Sequence, residues 1–339
     1  LTPPRVGCPF QIRHWPAPGL SAPAPVTIGR MIVAVASHSF GKNPTLRREL
    51  LERYSGAIFN ETGHPLAGEA LVRFLRSHER AITGLEVLDE ALFQSLPGLR
   101  LVSKYGVGLD MIDLAAARRH GVSVRWTPGV NRQSVAELTI AFMLALGRTL
   151  IPLAREMPHG GWRRPGGRQL SSAVVGILGC GHVGQQVARL CSAFGARILA
   201  HDIRRYDDFY RDLAVTPVSL DALLSECDIL TIHVPLDTTT RGLIGAAEIT
   251  RMKPSAFLIN TARGGIVDEV ALKDALLSQR LAGAALDVYA IEPPSNHDLL
   301  ALPNFIGTPH IGGSTEEAVL AMGRAAIAGL DDAAREIGP

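Results

Sequence analysis

The segment Gly179-Cys180-Gly181-His182-Val183-Gly184 follows an apolar run ending at Leu178 and opens a helical pattern, and Asp202 closes the next apolar run. Gly179 permits a tight turn, Gly181 lets backbone approach a pyrophosphate, and Gly184 lets helix pack on strand. The helix N-terminus, with His182 and Val183 at the turn, offers N–H groups and the positive dipole end to phosphates. Asp202 lies 18 residues beyond Gly184. That is near the spacing of roughly 20 at which a carboxylate accepts hydrogen bonds from adenosine ribose hydroxyls. The chemistry implied is dinucleotide binding, and NAD fits better than NADP because a 2'-phosphate would face a carboxylate. Arg204 and Arg205 are near enough to offset that repulsion in part.

Three later segments place polar residues directly after apolar strands. They are Asn260-Thr261-Ala262-Arg263-Gly264-Gly265, Asp287 to Pro294 with Glu292 inside it, and Thr308-Pro309-His310-Ile311-Gly312-Gly313. Ligands of open α/β sheets bind at such strand ends. An earlier segment, Lys104-Tyr105-Gly106-Val107-Gly108-Leu109-Asp110, has the same character.

Two blocks of alternating strand and helix must position these groups, which predicts an α/β fold with two doubly wound parallel sheets. The first holds strands at Met31–Val35, Ala81–Thr83, Leu99–Lys104 and Val122–Val124, with helices around Leu46–Tyr54 and Ala67–Leu75. The second begins at Val174 and runs through Arg197–Ala200, Ile229–Val234, Ala256–Asn260, Ala282–Val288 and Phe305-Ile306. Ser219 and Asp268 stand as helix N-caps, and Ser314 or Thr315 caps an amphipathic helix reaching Asp331. A long helix over Ser134–Leu150 is apolar around most of its circumference, which predicts a place between domains or subunits. Residues 1–29 read as a proline-rich extension, 30–127 with 308–339 as one domain, and 128–307 as a cofactor domain inserted into it.

Composition excludes several classes. The 339 residues carry 34 basic and 32 acidic side chains, so no charge excess argues for nucleic acid or an anionic membrane. No stretch approaches the roughly 18 apolar residues of a membrane span. Cys8, Cys180, Cys191 and Cys227 show neither metal-ligand spacing nor a disulfide framework, which predicts a reducing, cytoplasmic setting and no metal site. Cys180, inside the glycine turn, is where an oxidised thiol would obstruct a cofactor.

From about Lys104 to Ser314 the chain resembles the D-isomer-specific 2-hydroxyacid dehydrogenase family, especially its phosphoglycerate dehydrogenase-like members. The glycine turn and the 104–110, 260–265, 287–294 and 308–313 segments carry the likeness in the family's order. The resemblance implies a Rossmann-type cofactor domain inserted into a flavodoxin-like substrate domain, NAD as cofactor, a small 2-oxo or 2-hydroxy acid as substrate, and a homodimer. It makes Arg263 the arginine that holds the C2 oxygen and carboxylate, a task suited to a permanently charged fork. His310 becomes the acid–base group and Glu292 its paired carboxylate, expected to favour the imidazolium. Val107 and Gly108 become an N–H nest for the carboxylate. Val234, Thr261, Ala262, Asp287, Gly312 and Gly313 become cofactor contacts, with Asp287 receiving the carboxamide.

Lys104 is open between an anion-binding role and a solvated surface lysine, and His233 reads as packing. The family often has Asn where Met111 stands, so a polar role there is not expected. No regulatory module is expected after residue 339, unlike the longer phosphoglycerate members. Two other uses of this scaffold compete with 2-oxo acid reduction. One is an NADH-sensing corepressor-like protein. The other is oxidation of formate or phosphite, against which Glu292 and Val107 speak, because those enzymes carry glutamine and lysine at the respective positions.

Overall fold

The computed structural model describes residues 33–331, so the expected 1–29 extension, Met31 and the last eight residues lie outside it. Among the described residues, twelve strands form two parallel sheets. The first is five-stranded: β1 (Val33–Val35), β2 (Ile58–Phe59), β3 (Arg80–Thr83), β4 (Leu101–Lys104) and β5 (Ser123–Arg125), ordered β2-β1-β3-β4-β5. The second is seven-stranded: β6 (Val174–Leu178), β7 (Arg197–His201), β8 (Thr216–Pro217), β9 (Ile229–Ile232), β10 (Phe257–Asn260), β11 (Gly283–Leu286) and β12 (Phe305–Gly307), ordered β12-β11-β10-β9-β6-β7-β8. These are the flavodoxin-like and Rossmann strand orders, the latter extended by a seventh strand.

Parallel strands buried on both faces need apolar residues throughout. Consecutive residues accordingly enter opposite cores: Leu101 packs with Phe40 and Leu46, whereas its neighbour Val102 packs with Leu71 and Phe93. In the second sheet Ile229 joins Val175 and Ile177, while Leu230 joins Leu258 and Leu272.

The strands expected from sequence did not include β2 and β8. Each has two residues and lies at a sheet edge, too short for a period, and β8 contains Pro217, a residue confined to such edges. The long apolar helix also differs from expectation. It runs Arg132–Gly147, and a second helix, Leu150–Glu156, follows after Thr149 enters the left-handed region at φ 50°. The Gly147 carbonyl accepts Arg168 N at 2.8 Å, which takes it out of the helical ladder. Ala136, Ile140, Phe142 and Met143 share a core with Ile259 of β10, Ala285 of β11 and Val187, Ala188 and Cys191 of the helix His182–Ala193, so much of the helix's apolar surface covers its own domain.

The helix Glu316–Gly329 crosses back to the first sheet, where Ala326 and Ile327 join the core around Val33, Leu46 and Leu50. Ser103 Oγ donates to Ala326 O at 2.7 Å, Arg324 pairs with Glu49 at 2.8 Å, and Asp331 accepts from Arg53 and Tyr54. The expected caps form: Ser219 accepts from Ala222 N, Asp268 from Val270 N and Ala271 N, and Thr315 from Ala318 N.

Candidate active site

The carboxyl ends of β10, β11 and β12 are neighbours, so the three polar segments after them stand side by side. Gly264 packs so tightly on the next segment that a Cβ there would lie 1.8 Å from Tyr289 O. Tyr289 N in turn donates to Glu292 Oε1 at 3.1 Å. Glu292 holds His310 Nδ1 through Oε2 at 2.9 Å and Oε1 at 3.1 Å. Arg263, Glu292 and His310 are therefore linked through contiguous chain, and the second imidazole nitrogen is left without a partner among the described residues.

The backbone of His310 sits at φ 54°, a conformation a non-glycine residue adopts only when its surroundings enforce it. Asp287 supplies the enforcement. Its main-chain carbonyl accepts His310 N at 2.9 Å. Its fully buried carboxylate accepts Thr308 Oγ1 at 2.6 Å, Ile311 N at 2.8 Å and Gly312 N at 2.7 Å. Ser134 Oγ donates to Gly312 O at 2.5 Å and ties the loop to the helix Arg132–Gly147. Gly313 rests beside Asn131, where a Cβ would lie 3.0 Å from Nδ2. Asp287, expected as a carboxamide acceptor, is in this structure the strut of the histidine loop.

Arg263 meets the other sheet. Its Nε donates to Asp110 Oδ1 at 2.9 Å, and its Nη1 donates to Ala262 O at 2.7 Å. A Cβ on Gly108 would lie 1.6 Å from Nη2, so the guanidinium lies on the 104–110 loop. Burial opposes the Asp110 carboxylate, but the charge and hydrogen bond of Arg263 outweigh it and hold the carboxyl below its usual range. A side-on fork using Nε is therefore occupied, and the Nη1–Nη2 edge keeps donor hydrogens without a partner among the described residues. The Val107 carbonyl accepts Trp126 Nε1 at 3.0 Å, and the trans peptide aims the Gly108 N–H away from Trp126. Neither Val107 N nor Gly108 N donates to another described residue.

Of the two roles left open for Lys104, the solvated surface lysine is excluded: it is 3% exposed and donates to Gly84 O. Burial pulls its ammonium down to about 8. Met111 packs against the core around Leu88 and Val102.

At the glycine turn, Gly179 has φ 92°, and a Cβ on Gly184 would strike Gly179 O at 2.0 Å. A Cβ on Gly181 would meet nothing within 4 Å. Closed packing at the first and third glycines with open space at the second suits a pyrophosphate laid along the turn. His182 and Val183 begin the helix His182–Ala193. Asp202 accepts Cys180 N at 2.6 Å and Arg204 N at 2.8 Å, bracing the turn while each oxygen keeps acceptor capacity.

Val234 abuts Gly179, Thr261 Oγ1 pairs with Thr139 Oγ1 at 2.9 Å, and Ala262 N donates to Asn260 Oδ1 at 3.0 Å. Cys180 is buried, and burial pushes its thiol up to about 12, so it is not the exposed, oxidisable group considered from sequence. His233 is held neutral by burial, which takes it down to about 3, and its Nε2 meets Thr231 Oγ1 at 2.9 Å.

Sequence reasoning missed Asp110 as a partner of Arg263, Trp126 as an anchor of Val107, and Ser134 as a tie to the histidine loop. Asp110 lay in a segment already singled out. What was missing was proximity: of two sheets for Asp110 and Arg263, of the neighbouring strand ends of β4 and β5 for Trp126 and Val107, and of helix and loop for Ser134 and Gly312.

Residues 140–312 match the family model "D-isomer specific 2-hydroxyacid dehydrogenase, NAD binding domain". The D-3-phosphoglycerate dehydrogenase of Archaeoglobus fulgidus is 38% identical over 262 residues, 76% of this chain and 50% of that one, so the match spans about half of that relative. The hydroxypyruvate reductase of Thermotoga maritima is 40% identical over 225 residues, 65% of this chain and 72% of that one. The D-lactate dehydrogenase of Aquifex aeolicus, solved with NAD and lactic acid, superposes with TM-score 0.79 at 26% identity over 88% of this chain and 94% of that one. The chain belongs to the D-isomer specific 2-hydroxyacid dehydrogenase family.

Proposed function

We propose that this protein interconverts a small D-2-hydroxy acid and its 2-oxo acid, with Arg263, Glu292 and His310 as the reacting constellation. The observation that carries this reading is the disposition of Arg263 and His310. The first presents its guanidinium to the Gly108 loop, and the second is gripped at Nδ1 by Glu292.

NAD(H) would be held by the Gly179–Gly184 turn, by Asp202 at the ribose, and by Val234, Thr261, Ala262, Asp287, Gly312 and Gly313 toward the nicotinamide. When bound it supplies or accepts the hydride at C2. Arg263 would orient the substrate through its Nη1–Nη2 edge, and the Val107 and Gly108 amides would receive the carboxylate. His310, through Nε2, would give a proton to the C2 oxygen in reduction and take it in oxidation. Glu292 would fix the ring so that Nδ1 carries a proton and Nε2 faces the reaction.

The substrate unit we assign to 30–127 with 308–339, and the cofactor unit to 128–307. Closure of the two about the crossovers would exclude water. Leu150, Met157 and Trp162 are large apolar side chains exposed within residues 150–162, which supports a homodimer, and light scattering would test it.

The deciding experiment is a panel comprising glyoxylate, hydroxypyruvate, phosphohydroxypyruvate, pyruvate and larger 2-oxo acids, each with NADH and NADPH. Turnover of at least one acid with NADH preferred is the expected result. Tight NADH binding without turnover would replace this reading with a nucleotide sensor.

A further inference from the structure

Arg263 follows β10 of the seven-stranded sheet, and Asp110 follows β4 of the five-stranded sheet. Their 2.9 Å contact is an ion pair between the two halves of the molecule, with side chains 25% and 33% exposed. It lies directly on Gly108: a Cβ there would be 2.8 Å from both the guanidinium carbon and Asp110 Oδ1. A guanidinium at the end of a flexible stem has many orientations, and each of its edges can bind a carboxylate. Here Asp110 takes Nε and Ala262 O takes one Nη1 hydrogen, so a single edge, Nη1–Nη2, is left.

We propose that Asp110 is a positioning residue, whose carboxylate locks the Arg263 guanidinium across the interdomain cleft and so fixes which edge meets the substrate. This rests on the reading of Arg263 given above and deepens it. Two consequences follow from charge and geometry. Asp110 offsets part of the Arg263 charge, so it does not increase the attraction for an anionic substrate. Its contribution is orientation, which appears in the reaction step. Because the two partners come from different sheets, the orientation is complete only when the halves are together.

Asp110→Asn is isosteric and keeps one acceptor oxygen, while Asp110→Glu keeps the charge on a longer stem. With the full chain, Asp110→Asn should lower kcat on the order of 10- to 100-fold. KM for the 2-oxo acid should change by less than about threefold, and the NADH dissociation constant should not change. Asp110→Glu should recover part of kcat. A purely structural role would instead lower the melting temperature and weaken NADH binding, with kcat restored at saturation.

The decisive arm is a double-mutant cycle with Arg263→Ala and free guanidinium ion as the probe. Guanidinium should restore turnover to Arg263→Ala but not to Arg263→Ala combined with Asp110→Asn, where its anchor is gone. Equal rescue of both, or additive losses in the cycle, would overturn the Asp110 assignment while leaving Arg263 in place. Near-normal turnover by Arg263→Ala would instead defeat the reading of the arginine itself.

Discussion

Glu292 engages His310 Nδ1 with both carboxylate oxygens, at 2.9 and 3.1 Å, while Oε1 also accepts Tyr289 N at 3.1 Å. The imidazole is thereby held by a group that is itself anchored to the main chain of the adjoining strand end. Glu292→Gln keeps the shape but offers Nδ1 one acceptor oxygen in place of two, and its amide hydrogens would oppose an Nδ1–H, so the ring is no longer held in one orientation. We expect kcat to fall about 100-fold in both directions, within the range for a displaced acid–base group. Stopped-flow rates in both directions check this; an unchanged rate would show that Glu292 does not hold the ring.

Asp287 satisfies three donors of the histidine loop from a fully buried position. Asn in its place offers one acceptor oxygen and brings two hydrogens against N–H groups. Asp287→Asn should cost about 2 kcal/mol of stability, since each bond to a charged group contributes roughly 1.5–3 kcal/mol. It should also lower kcat, because His310 loses the support for its φ of 54°. Urea denaturation with steady-state assay tests both; an unchanged midpoint would refute the strut.

Trp126 Nε1 fixes the Val107 carbonyl at 3.0 Å from the first crossover segment. Trp126→Phe retains the ring and deletes the donor. KM for the 2-oxo acid should rise about fivefold, the equivalent of one ordinary hydrogen bond of roughly 1 kcal/mol, with the NADH dissociation constant unchanged. A shift in NADH affinity alone would separate Trp126 from the carboxylate nest.

Lys104 gives a dependence on pH with a definite sign. Burial lowers its ammonium from 10.5 to about 8, against the opposing pull of Glu86 and Asp110. Below about 8 both folded and unfolded chains are protonated there, and the full cost of burying the charge is present. Between about 8 and 10.5 the unfolded chain binds more protons, so this group's contribution to stability rises with pH. Lys104→Met should therefore gain on the order of 2 kcal/mol over wild type at pH 7: the fall from 10.5 to about 8, at about 1.4 kcal/mol for each tenfold loss of proton affinity, corresponds to roughly 3.5 kcal/mol, and the hydrogen bond to Gly84 O that Met cannot make takes back about 1.5 kcal/mol. That advantage should shrink as pH approaches 10. A gap that widens with pH, measured by denaturant titration, would contradict the assignment.

Much of this architecture is legible in the chain because its signals are local. The β6 run into Gly179, Gly181 and Gly184 is contiguous, and caps such as Asp268 act within three residues. Strand ends carrying Arg263 and His310 announce themselves because polar residues interrupt apolar runs. Edge strands of two residues have no period to read, and the break at Thr149 depends on Arg168 reaching back to Gly147. The partnership of Asp110 with Arg263 spans two sheets, and that of Asp287 with Gly312 spans adjacent strand ends. Neither is encoded in spacing, and both arise only after the sheets assemble.

The central claim is that hydride moves between nicotinamide C4 and substrate C2 beside these three side chains. Supplying NADH deuterated at the transferred C4 position with an accepted 2-oxo acid, and analysing the product by NMR, tests it directly. The expected result is deuterium at C2 of a D-2-hydroxy acid with the wild-type protein, and incorporation on the order of 1000-fold slower with His310→Asn. Product without deuterium at C2, or of L configuration, would contradict it.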